Sequence, residues 1–162
     1  MKLLKYISDK PRPKIAETRS ASRAVLFDEN GLVPILFVSN FNYHKIPGGG
    51  TEKGETKMKG LIREIKEETG CEVKIRGEIG KVIEYRSKWN ILQTSYGYIG
   101  DIIKKGEPSF TEDEIREGFK LVWLKLEEAV SQLRKDKPMD YQGKFIQERD
   151  LSFLEEVKEK GL

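Results

Sequence analysis

Glu64, Glu67 and Glu68 stand at i, i+3 and i+4. On a helix such side chains are neighbours, with Cβ atoms about 5–6 Å apart. Each pair would repel by roughly 0.8 kcal/mol in water and about 3 kcal/mol at an effective dielectric of 20. On a solvated face this cluster costs little; facing a cleft it demands a compensating cation. Arg63 reaches Glu67 at i+4 but cannot neutralise three carboxylates. Oxygen donors without Cys or His select a hard ion, Mg²⁺ or Mn²⁺.

The segment 57–69 is predicted to be the helix that carries them. Met58, Leu61, Ile62 and Ile65 form one apolar stripe at i, i+3, i+4, i+7. The glutamates span an arc of about 100°, centred about 110° from that stripe. Gly70 is placed to end the helix in the left-handed conformation. Gly60 lies on the acidic face, one turn before Glu64, and costs about 0.8–1.0 kcal/mol against alanine. It either leaves room for metal, water and phosphate or allows close packing against a strand. Ahead of the helix, Gly48, Gly49 and Gly50 let the backbone approach a ligand.

Gly49, five residues, Glu55, seven residues, and then Arg63-Glu64-Ile65-Lys66-Glu67-Glu68-Thr69-Gly70-Cys71 resemble the Nudix box, G-x5-E-x7-R-E-U-x-E-E-x-G-U, with U a bulky aliphatic. Every fixed polar and glycine position matches; Cys71 is a small apolar stand-in at the last U. The resemblance extends to Ile46-Pro47 ahead of the box and to Phe119–Ala129, similar to a late strand and its turn into a helix. It implies an α/β (α+β) chain with the Nudix fold, an α/β/α sandwich around a mixed sheet. It implies a MutT-like pyrophosphohydrolase that cleaves a nucleoside diphosphate linked to another moiety, with Mg²⁺ or Mn²⁺. The motif maps Glu64, Glu67 and Glu68 onto metal ligands, with the Gly49 carbonyl as a further one. Arg63 would orient the glutamates and Glu55 would fix the loop against the helix.

Such a site is completed by a general base, either Glu64 or an acid outside the box. Glu117, six residues before Trp123, is the first choice, followed by Glu114 and Glu112. Arg23, His44, Lys45, Gly48 and Gly49 are the candidate substrate-binding residues. Cys71 has no base near it in sequence and is assigned to packing. Trp89 and Asn90 occupy a turn, and Trp123 is assigned to the core. No proline falls between Pro47 and Pro108, where relatives acting on ADP-ribose often carry one. A small MutT-like enzyme is the residual reading.

The elements around the helix are strands over 19–27, 33–38, 72–85, 91–103 and 119–124, and helices over 126–134 and 141–159. Asp28-Glu29-Asn30-Gly31 reads as a tight hairpin turn. Gly77, Gly80 and Gly97 suggest bulges or bends. At 162 residues the chain makes one domain, read as a basic arm over 1–16 and a hydrolase domain over 17–162.

The net charge of +3 is neither strongly basic nor strongly acidic, so nucleic acid is not an expected partner. Seven of the first 23 residues are basic and two acidic, a local +5 that leaves −2 for the body. That segment is read as a flexible lead-in or a dimer-contact arm, with a homodimer as one assembly open to the chain. One cysteine excludes a disulfide framework and favours a reducing cytoplasm. No apolar run approaches the ~18 residues of a membrane span. Two rival readings remain: a non-catalytic nucleotide sensor on the same scaffold, and an RNA-binding or decapping module motivated by the basic start.

Overall fold

The computed structural model describes residues 1–162. In chain order the elements are β1 (Leu3–Ser8), β2 (Glu17–Phe27), β3 (Leu32–Val38), β4 (Tyr43–Lys45), β5 (Gly48–Gly50), α1 (Lys57–Thr69), β6 (Glu72–Arg86), β7 (Ile91–Lys104), α2 (Glu112–Arg116), β8 (Phe119–Lys125), α3 (Leu126–Lys135) and α4 (Tyr141–Lys160). The mixed sheet has the order β1-β6-β7-β2-β5. Beside it stands a three-stranded sheet, β4-β3-β8.

Side-chain alternation in β2 explains the layers. Ala24 and Leu26 face α1, meeting Leu61, Ile65 and Tyr98. Val25 points the other way, into a larger core with Phe153, Leu154 and Val157 of α4, Ala129 and Leu133 of α3, and Ile35 of the second sheet. The mixed sheet is therefore covered on both faces, the arrangement expected for an α/β/α sandwich.

Several details differ from the sequence reading. Residues 3–8, read as part of a lead-in, pair parallel with β6; Lys5 interrupts their apolar pattern because it faces out, against Glu148. The 28–31 turn closes no hairpin, because β2 pairs with β5 and β7 while β3 pairs with β4 and β8. Asp28 shapes that turn, its Oδ1 accepting from the Asn30 and Leu32 amides at 2.9 and 2.8 Å. The apolar stripe of α1 is only half used: Leu61 and Ile65 are fully buried, but Met58 and Ile62 are exposed. The buried face is rotated toward the acids, taking in Gly60 and Glu68. Trp123 is half-buried rather than core, with the Lys105 ammonium 4.1 Å above its ring.

Gly77 and Gly80 do lie at register shifts between β6 and β7. Gly97 serves contact instead, since a Cβ there would stand 2.4 Å from Phe153 of α4.

Gly70 fixes the end of α1. Its φ is +72°, its amide donates to the Lys66 carbonyl, and a Cβ would meet the Glu107 backbone at 2.4 Å. Gly54 has a similar φ, +86°, but open space around it. Gly70→Ala should therefore destabilise by more than the about 1–3 kcal/mol of backbone strain that bounds Gly54→Ala. Urea denaturation of the two variants measures the difference, which is the cost of the collision.

Candidate active site

α1 begins at Thr56, whose hydroxyl accepts from the Lys59 amide at 3.1 Å. Two turns later Arg63 makes the contacts that organise the helix surface. Its Nη2 and Nε donate to the two Glu55 oxygens at 2.8 and 3.2 Å. Its Nη1 donates to Glu64 at 3.0 Å and to Glu67 at 3.5 Å. The fork geometry of guanidinium suits this role, which a lysine could not reproduce. Hydrogen bonding to Glu55, then to Glu64, holds Arg63 more firmly protonated, and Arg63 in turn holds the Glu55 carboxyl below its usual value.

Gly60 has a use that neither reading of it named. A Cβ there would stand 2.7 Å from Glu55 Oε1, so the glycine makes room for the carboxylate that grips Arg63. Gly49 makes room in the same way for Glu64, whose carboxylate a Cβ would meet at 2.5 Å. The glycine run is not a loop but strand β5, antiparallel to β2. Gly48 has φ +141°, and a Cβ on it would collide with the β2 backbone at Ser22.

Glu68 points inward and is 1 % exposed. It accepts from Lys45 Nζ at 2.9 Å and from the Gly48 amide at 2.8 Å. Burial pushes its carboxyl up, against the pull of Lys45.

Glu64 and Glu68 open onto a cleft of about 240 Å³, whose walls also carry Arg19, Arg23, Arg86 and Arg149. Glu117, at the end of α2, and Glu114 line it too. The acidic stretch before β8 is thus a short capped helix, with Thr111 and Glu114 exchanging hydrogen bonds. Burial and nearby Asp140 push the Glu117 carboxyl up.

Among the residues singled out from sequence, Arg23, Lys45, Gly48, Gly49, Glu64, Glu68 and Glu117 share this cleft. Glu67 lies outside it, more exposed, beside Arg63. His44 also lies outside. In β4, alternation sends Tyr43 and Lys45 to the cleft and His44 to the opposite face, where it stacks on Phe37 and bonds Asp136 at 2.9 Å.

The donor set of Glu64, Glu67, Glu68 and the Gly49 carbonyl is oxygen alone, which fits a hard divalent cation. Gly49, lacking a Cβ, lets the Glu64 carboxylate lie directly against the β5 backbone, which brings that carboxylate beside the Gly49 carbonyl's own strand. As the side chains stand, no three acidic, His or Cys groups converge on one point; Arg63 and Lys45 occupy the carboxylates instead.

Sequence reasoning missed Arg149, Asp150, Glu84, Arg86 and Gln93, which form a buried network beneath the cleft. Arg149 donates to Asp150 at 2.6 Å and to Glu84 at 3.2 Å. Glu84 also accepts from Arg86 at 2.8 Å and Gln93 at 3.1 Å. A signal was present: Arg149 and Asp150 interrupt the apolar stripe of α4 between Phe145-Ile146 and Phe153-Leu154.

The NUDIX domain family matches residues 17–148, and the chain belongs to that family. It is 29% identical over 108 residues to diphosphoinositol polyphosphate phosphohydrolase 2 of Homo sapiens, covering 65% of this chain and 57% of that one. It is 28% identical over 109 residues to the 3-beta phosphohydrolase of the same name from Bos taurus, covering 65% and 63%. The matched region is thus less than two thirds of these relatives' length. Among solved structures, a NUDIX hydrolase from Nitrosomonas europaea superposes with TM-score 0.64 at 13% identity, covering 89% of this chain and 90% of that one. The E. coli ORF135 protein does so with TM-score 0.61 at 16% identity, covering 89% and 91%. At these identities the likeness is one of fold.

Glu84 ties β6, β7 and α4 together, so Glu84→Gln should cost about 3–5 kcal/mol by leaving buried guanidiniums uncompensated. Burial alone would raise the Glu84 carboxyl, but Arg149 and Arg86 outweigh it and hold it below 4.5. Its stabilisation is therefore complete above pH 4.5 and disappears as pH falls through the depressed value. Thermal melts from pH 7 downward should show an acid loss in the parent that is reduced in the variant.

Proposed function

We propose that the chain is a metal-dependent hydrolase that cleaves a diphosphate bridge in a nucleoside diphosphate linked to another moiety. The observation that carries this reading is the union, in one cleft, of Glu64, Glu68 and Gly49 with five basic side chains, Arg19, Arg23, Lys45, Arg86 and Arg149. A diphosphate is anionic and needs cations on its oxygens, while its attacker is water that needs activation. Glu64, Glu67, Glu68 and the Gly49 carbonyl are the groups that would hold Mg²⁺ or Mn²⁺. When bound, such an ion neutralises phosphate oxygens and lowers the pKa of water.

The chain's own residues supply the rest. Arg63 keeps Glu64 and Glu67 apart and aimed. Lys45 balances the buried charge of Glu68 and stands beside it to meet an anion. Glu117 opens onto the cleft with a raised carboxyl, which suits a group that takes a proton from water. Phosphoryl transfer asks chiefly for this kind of placement and charge stabilisation.

A second reading shares the chemistry but not the carrier: a diphosphate on a densely phosphorylated, non-nucleotide alcohol. The five cations favour it, as do the names of the phosphohydrolase relatives.

Purified protein should hydrolyse members of a panel of nucleoside triphosphates, nucleotide sugars, dinucleotides and diphosphoinositol phosphates when Mg²⁺ or Mn²⁺ is added. Glu67→Gln and Glu68→Gln should each lower kcat by about 10²–10⁴, the several kcal/mol that metal stabilisation supplies. Full activity in both variants would remove the assigned site. Turnover confined to the inositol compounds would decide for the second reading.

A further inference from the structure

Four buried cations surround the cleft floor: Arg23, Lys45, Arg86 and Arg149. Three buried carboxylates face them: Glu68, Glu84 and Asp150. Among these buried groups the cations outnumber the carboxylates by one, while Arg19 and the carboxylates of Glu64, Glu114 and Glu117 stand further out on the walls. The three buried carboxylates are fully engaged. Glu68 holds Lys45 and the Gly48 amide. Glu84 holds Arg86, Arg149 and Gln93. Asp150 holds Arg149 and the Ile46 amide.

The cations are not all engaged. Arg149 is 0 % exposed; its Nε and Nη1 are bonded, but Nη2 has no partner. Arg23, 7 % exposed, donates from Nη1 to the Gly48 carbonyl, while its Nε has none. Both residues line the cleft. Guanidinium is a donor only, and buried donors without acceptors cost free energy that structures seldom leave unmet. Three hydroxyls, of Ser20, Ser22 and Thr51, also lack partners, but none of those residues lines the cleft. The two guanidiniums repel each other as well: burial first, then Arg149, pulls Arg23 down to about 10. An anion between them would relieve the repulsion and take both free donors.

We infer that Arg149 of α4 and Arg23 of β2 form an anion receptor in the cleft floor, which binds a phosphate oxygen of the substrate without help from metal. This deepens the hydrolase reading, and rests on it for the substrate being a phosphate compound. It makes Arg149 a substrate-binding residue contributed from far outside the acidic helix. It also explains why an amphipathic helix carries a charged pair on its buried face: Asp150 and Glu84 hold the guanidinium so that one edge stays free.

The probe is inorganic pyrophosphate, titrated calorimetrically into the full chain in EDTA. Saturable binding is expected. Arg149→Lys and Arg23→Lys keep the charge but remove the free donor, and should each weaken binding about tenfold or more. Arg76→Lys, the same change at an arginine of β6 that pairs with Asp101 away from the cleft, should leave it unchanged. Because Arg149→Lys can fail to fold, nitrogen NMR of the parent's arginine side chains provides a second measurement. The Arg23 Nε and Arg149 Nη2 signals should shift together along the same titration. Absence of saturable binding, or binding that leaves both signals and both variants unaffected, overturns the receptor. Binding with no hydrolysis of any panel compound would sink the hydrolase reading and leave the receptor standing; hydrolysis with silent arginines would do the reverse.

Discussion

A buried guanidinium constrains much of this molecule. Arg149 is wholly enclosed, and an enclosed charge is tolerated only when paired and hydrogen-bonded. Its partners, Asp150 on its own helix and Glu84 on β6, fix α4 against the mixed sheet. Asp150 also accepts from the Ile46 amide at 2.9 Å, which ties the approach to β5 to the same helix. Glu84 reaches Arg86 and Gln93, joining β6 to β7. The cleft floor is thus one connected polar layer between apolar cores, and shifting any member exposes another to an unpaired charge.

Against that floor, α1 is held from the opposite side. Arg63 grips Glu55 and two of the helix acids, while Glu68 reaches inward to Lys45 and the Gly48 amide. Both ends of the acidic face therefore have a cationic partner from the protein. The loop after β7 closes the helix, with the Ser109 amide donating to the Glu67 carbonyl at 2.6 Å. The glycines of this region serve neighbours: Gly60 admits Glu55, Gly49 admits Glu64, and Gly70 admits the Glu107 backbone. Their pattern in sequence records side chains and loops that come to them.

The basic N-terminal stretch divides in the fold. Lys2, just before β1, and Lys5 on it meet Glu156 and Glu148 of α4, while Arg19 and Arg23 turn into the cleft. A run of like charge in sequence is not a patch in space when it continues into a strand whose ends face different surroundings. The acidic stretch 112–117 shows the converse. Its run of carboxylates does not spread into solvent but folds into a capped turn that presents Glu114 and Glu117 to the cleft.

What the sequence determined by itself is local. Helix α1, its cap at Gly70 and the clustering of Glu64 with Glu68 follow from spacings within that helix. Helical periodicity and fixed offsets suffice for these. The bulges at Gly77 and Gly80 were legible too, because a glycine inside a strand pattern marks a bulge. The clasp of Arg63 on Glu55 was seen only in the fold. Tertiary structure alone decided which distant charges meet. Nothing in the chain order relates Glu84 to Arg149, 65 residues on, or sends His44 to Asp136 rather than the cleft. Such pairings depend on which face of a strand turns inward and which helix covers it. The register of β4 and the docking of α4 set those faces through long-range packing, so the acids of α1, with Arg23 and Lys45, could be read from the sequence, while Arg19, Arg86 and Arg149 could be placed only from the fold.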